Sequence, residues 1–122
     1  MSTSSLAPEM PAEFIKDYAT RIQIDRSCRQ TVLGYYASAV AWLLIGSLAA
    51  MISSIKLHHP EFLAGWEWMT FGRIRPVHLN TVVYGWGSMV GIGTTLWREA
   101  RLCKVRLPHR TLLPATIIIW NV

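Results

Sequence analysis

Twenty-four consecutive residues, Val32 to Ile55 (VLGYYASAVAWLLIGSLAAMISSI), carry no charged side chain. At 1.5 Å per residue such a run makes a helix of roughly 36 Å, enough to cross a hydrocarbon core of about 30 Å with some tilt. A second uncharged run, Val77 to Trp97 (VHLNTVVYGWGSMVGIGTTLW), gives a helix of roughly 31 Å. A third apolar stretch begins at about Leu112 and runs to the last residue. The composition agrees with a membrane setting, because 16% of the residues are charged against roughly 25% in a soluble domain. A free-standing soluble enzyme is therefore not expected. The formal charge of +5 raises nucleic acid as a partner, but the basic residues flank the apolar runs and form no continuous patch, so none is expected.

These runs predict an all-α integral membrane bundle with two complete transmembrane helices, at about 32–55 and 77–97, and the start of a third at about 112. Gly34, Ala37, Ser38, Ala41 and Gly46 suit the first span to close helix packing. Pro76 fits the first turn of the second helix, where its missing N–H costs nothing. Residues 1–30 form a polar segment with no signal-peptide core at its start. Within it, Phe14, Ile15, Tyr18, Ile22 and Ile24 fit a short amphipathic helix on the membrane surface, and a partly disordered tail fits equally well. The connection from Lys56 to Arg75, with Trp66, Trp68 and Phe71, reads as an interfacial loop. Lys and Arg number four before the first run (Lys16, Arg21, Arg26, Arg29), three between the runs (Lys56, Arg73, Arg75) and five after the second (Arg98, Arg101, Lys104, Arg106, Arg110). That asymmetry places the N-terminus and the second connection in the cytoplasm. A C-terminus inside an apolar run leaves helix carbonyls facing lipid, so the chain is expected to be the front part of a longer protein. The alternative is a two-span protein whose short apolar tail tucks against its own helices.

His78 is the one ionisable group inside either run, and an ionisable residue within a span is a functional candidate by default. A neutral imidazole is a good axial ligand for haem iron, and a helix bundle can hold a haem between facing helices. An interfacial histidine bonded to water or to a backbone carbonyl is the plainer reading. Just before it stand Arg73 and Arg75. Two cations at a helix N-terminus, where the dipole is already positive, call for an anion nearby. Haem propionates meet that need through bidentate guanidinium bonds, and a lipid phosphate meets it equally well. Gly85 lies seven positions after His78 on nearly the same face, where a flat macrocycle could approach the backbone. Plain helix packing accounts for most of the neighbouring glycines, Gly87 and Gly91 being in GxxxG register. Cys28 and Cys103 have no metal or redox spacing and read as bystanders. His58, His59 and His109 lie in the connections without a carboxylate or cysteine cluster, so no metal is expected there.

Ile24-Asp25-Arg26-Ser27-Cys28-Arg29, the stretch from Ala37 to Leu48, and above all Thr70-Phe71-Gly72-Arg73-Ile74-Arg75-Pro76-Val77-His78-Leu79-Asn80-Thr81 followed by Tyr84-Gly85-Trp86-Gly87 resemble the catalytic subunit, subunit I, of cbb3-type cytochrome c oxidases in the haem–copper oxidase family. The resemblance covers about residues 24 to 122. It implies that His78 is one of two axial histidines on the low-spin haem b, that Arg75 lies near its propionates, and, less directly, that Arg73 does too. It implies a bacterial inner-membrane protein with about a dozen helices. The second ligand of haem b, the high-spin haem b site and the copper ligands come from later helices, so this stretch carries no catalytic residue and cannot reduce oxygen alone. The partners implied are the remainder of subunit I, c-type cytochrome subunits and membrane lipid. The function expected is electron transfer through haem b in the reduction of oxygen to water, coupled to proton translocation. The alternative is a stand-alone two-span protein without catalysis, serving as an assembly or haem-holding module.

Overall fold

The computed structural model describes residues 11–107 and 112–122, and among these every regular element is helical. Helix α1 (Ala12–His58) is one unbroken rod of 47 residues, about 70 Å long. The uncharged run sits in its second half. Helix α2 (Phe71–Asn80) passes into a π-helical segment (Thr81–Gly87) and then into α3 (Ser88–Leu102). The junction residues Asn80, Thr81, Gly87 and Ser88 all keep right-handed helical angles, so the three pieces form one antiparallel partner for α1. Helix α4 (Leu112–Asn121) packs on one side of α1 near Tyr35, Ser38 and Trp42. By length and composition α1 is a helix able to cross a membrane.

Several expectations change in detail. The polar segment before the first span is neither a separate surface helix nor a tail from Ala12 onward, because α1 continues through it. Its anchors are contacts remote in sequence. Lys104 Nζ donates to Asp17 Oδ1 at 2.9 Å, and Arg101 grips Asp25 with two bonds of 3.0 and 2.7 Å. Arg101 also lies 4.7 Å above the Trp97 ring. Pro76 is not in the first turn of its helix, since α2 starts at Phe71, with Thr70 accepting from the Arg73 and Ile74 amides. A proline in the second turn removes the bond to the Gly72 carbonyl. Gly72 is itself exposed, with open space where a Cβ would stand. The connection expected from Lys56 to Arg75 is shorter, since α1 runs to His58 and α2 starts at Phe71; Lys56, in the last turn of α1, is buried and its ammonium donates to the Phe62 carbonyl, tying the connection back onto the helix. His109 and Arg110 lie outside the described residues.

The helices meet where side chains are small. A Cβ on Gly93 would stand 3.1 Å from Tyr35 Cβ, and one on Gly46 would stand 2.8 Å from Thr81 Oγ1. Gly91 has nothing within 4 Å, so the GxxxG pair with Gly87 is not a contact face among the described helices. Met89 is fully buried against Tyr35 and Ala39. Hydroxyl pairs fix the register: Tyr36 with Thr94 at 2.8 Å, and Tyr35 with Thr116 at 2.6 Å. Interhelical bonds of this kind contribute about 0.6 to 2 kcal/mol each in lipid. Asn121 Oδ1 accepts from both Ser38 and Trp42, clamping α4.

The Asp25–Arg101 pair has a readable pH signature. Hydrogen bonding from Arg101 holds the Asp25 carboxyl below its ordinary range. A depressed folded value means that the contribution is complete above the free carboxyl's pKa and is lost as pH falls through the folded one. Both partners are about two-fifths exposed, so the effect is small. Spin labels at Ile22 and Leu102 are expected to report a wider distance distribution only once the pH has fallen below the ordinary carboxylate range, and Asp25→Asn should give that wider distribution already at neutral pH.

Candidate functional site

His78 occupies the last turn of α2, half-buried where that helix crosses α1. Its Nδ1 lies 2.8 Å from the carbonyl oxygen of Gly46. A carbonyl only accepts, so Nδ1 carries a proton, and in the neutral ring the lone pair is then on Nε2. A neutral imidazole whose Nδ1–H is held by a carbonyl presents Nε2 in the form that ligates metal, with ring orientation already set. The approach that makes this bond possible depends on Gly46, because any side chain there would collide with Thr81 and Val82. Thr81 completes the turn below by donating to the carbonyls of Val77 and His78 at 2.8 and 2.9 Å.

From Thr81 the helix widens into its π-helical segment, a form that occurs mostly as short bulges, often at functional sites. Trp120 Nε1 donates to the Tyr84 carbonyl in this stretch at 3.1 Å, joining α4 to it. Trp42, Tyr84 and Trp120 border a cleft of about 240 Å³ one turn beyond His78. Gly85 is packed on its Cβ side, where an added Cβ would lie 2.6 Å from Cγ of Trp42, and it also lines the cleft. Sequence reasoning found His78 but missed the Gly46 carbonyl, the π-helical segment and Trp42. Only the density of glycine between Gly85 and Gly93 hinted at so close an approach.

The two arginines differ. Arg73 lies 5.2 Å over the Trp68 ring, which answers part of its charge through the ring's negative face. Arg75 is exposed and has no hydrogen-bond or ion-pair partner among the described residues. The structure thus brings His78, Arg73 and Arg75 together on one ten-residue helix. His58 and His59 are exposed at the end of α1 and its cap, and no group of three or more potential metal ligands occurs among the described residues. Cys28 is buried with its thiol donating to the Ile24 carbonyl, and Cys103 is exposed and unpaired.

Residues 30–122 match the family described as cytochrome c and quinol oxidase polypeptide I. The chain belongs to that family. Among curated proteins, the chain is 33% identical over 69 residues to a "Cytochrome c oxidase subunit 1 homolog, bacteroid" of Bradyrhizobium diazoefficiens, covering 57% of the chain and 13% of that relative. It is 33% identical over 69 residues to a cytochrome c oxidase subunit 1 homolog of Azorhizobium caulinodans, covering 57% and 12%. It is 27% identical over 82 residues to the cbb3-type cytochrome c oxidase subunit CcoN1 of Stutzerimonas stutzeri, covering 67% and 17%. The matched stretch is thus 12% to 17% of the length of these relatives. No solved structure matches the chain. Membership of the polypeptide I family implies residence in a membrane, in keeping with α1.

Proposed function

We propose that this chain is the N-terminal part of subunit I of a cbb3-type cytochrome c oxidase and that His78 gives one axial ligand to its low-spin haem b. In this reading the chain crosses the bacterial inner membrane at about 32–55 and 77–97, with its N-terminus cytoplasmic and a third span starting at about 112. The observation that carries the ligand role is the Nδ1 bond to Gly46, which leaves Nε2 of a half-buried imidazole as a free lone pair. The donor set fits one axial position: a neutral histidine, with an unpaired guanidinium three residues earlier for a carboxylate. When bound, the haem supplies a one-electron centre whose potential depends on its axial ligands and surroundings.

The residues have separate tasks. Gly46 holds the tautomer and the ring plane of His78. Arg75 offsets a propionate charge, and Arg73, stacked on Trp68, adds a second positive charge at the same helix start. The packed Gly85–Trp42 contact sets the distance between the helices. Reduction of oxygen to water, coupled to proton translocation, belongs to the remainder of subunit I, where high-spin haem b and copper are held, with c-type cytochrome subunits as electron donors.

Two measurements test the reading. Peptide mass spectrometry on sized bands from native membranes should find the FGRIRPVHLN segment in a polypeptide several-fold heavier than 13.8 kDa, copurifying with haem b. A band at 13.8 kDa would overturn it in favour of a stand-alone two-span protein. Arg75→Leu in the full-length subunit should shift the midpoint potential or lower the occupancy of the low-spin haem, since a propionate loses a charge-assisted partner. An unchanged redox titration would assign Arg75 to a lipid phosphate instead.

A further inference from the structure

The end of the bundle far from His78 carries a groove of about 330 Å³ between α1 and α3. Its mouth holds Arg26 and Arg29, and its wall is Val32, Leu33, Tyr36 and Trp97. We propose that this groove binds one anionic phospholipid, the phosphate at the two arginines and an acyl chain along the apolar wall. The inference rests on the membrane reading of the chain and is independent of the haem assignment.

Charge is the first argument. Asp25 also lines the groove, but it is already neutralised by two bonds from Arg101. Arg26 and Arg29 are exposed and have no ion pair among the described residues, which leaves two uncompensated positive charges at the mouth. Position is the second. Arg29 is the last charge before the uncharged run of α1, and Trp97 is the last residue before Arg98. The mouth therefore lies at the membrane–water boundary, where phosphates reside and indoles are favoured. Order along the helix is the third. From Arg26 to Tyr36 the lining passes from guanidinium to aliphatic and ring surface within about 15 Å, the same polar-to-apolar sequence as a phospholipid. The Tyr36 hydroxyl is bonded to Thr94, so the groove meets its ring. Leu33 remains 54% exposed, so this apolar wall awaits a cover. A covering helix of the same protein would have to bring carboxylates to Arg26 and Arg29; a lipid phosphate meets them at the depth where they already stand.

The test uses the full protein in bilayer nanodiscs with two photoactivatable probes, a phosphatidylglycerol and a phosphatidylcholine with the same diazirine acyl chain. Phosphatidylglycerol is expected to label the peptides around Leu33, Tyr36 and Trp97 more strongly than phosphatidylcholine. The double variant Arg26→Gln/Arg29→Gln should cut that labelling by about thirtyfold, the scale for losing two basic residues at a membrane surface. Leu33→Trp keeps both charges but fills the wall, and should cut it also, with helix content by circular dichroism unchanged. Equal labelling by the two lipids, or labelling indifferent to both variants, would overturn the proposal. Labelling at Leu43 and Leu44 without any in the groove would show that another helix covers it. Labelling nowhere on α1 would instead overturn the membrane reading itself.

Discussion

His78→Ala in the full-length subunit is expected to abolish the low-spin haem b signal while the helices still insert. An axial ligand acts on one cofactor, whereas insertion depends on some twenty mostly apolar residues of the span taken together. The structure adds a discriminating control. Because the Gly46 carbonyl fixes the proton on Nδ1, a side chain of similar size that hydrogen-bonds Gly46 but has no ring nitrogen, as in His78→Gln, should preserve the packing of α1 against α2 and still lose the signal. Absorption and paramagnetic resonance spectra of the purified complex read both variants. A normal low-spin spectrum in either would remove His78 from the ligand set.

Gly85→Ala should destabilise the helix pair by about 1–3 kcal/mol, the usual cost of forcing a methyl group into a filled interface. The added Cβ would lie 2.6 and 2.7 Å from Cγ and Cβ of Trp42, atoms near the α1 backbone that cannot swing aside as a flexible tip would. The helices have to separate, and the His78–Gly46 bond lies on the same contact. The variant should therefore unfold at lower denaturant concentration in detergent micelles and also weaken haem retention, while Gly91→Ala, in open space, should do neither. Equal stability of the two variants would show that Trp42 does not fill this position.

The uncharged run of α1 was legible because a span is a matter of composition and length, both visible locally. The helical start at Ala12 was not, since Asp17 and Asp25 find their partners at Lys104 and Arg101, some eighty residues away. The same limit separates the two glycine readings. Spacing put Gly85 on the face of His78, but the side chain packed against its Cβ position comes from Trp42, on another helix. Pro76 followed a positional preference that holds when a helix begins just before it. Here α2 begins at Phe71, and the open surroundings of Gly72 let the proline sit a turn inside. His78 stood out because charge is rare in a span. The carbonyl that orients it had no signature, because every residue has one.

The wide turn between Thr81 and Gly87 makes the second rod behave like a shaft with a keyed coupling. A π-helical insertion adds a residue without adding a turn, so the stretch beyond it is rotated by about 100° from where an uninterrupted helix would carry it. The end bearing His78 and the end bearing Gly93 and Thr94 are thereby indexed separately, and both face α1. Deleting one residue from the turn would restore ordinary pitch and spin one end out of mesh, so that either the His78–Gly46 contact or the Tyr36–Thr94 pair would survive, but not both.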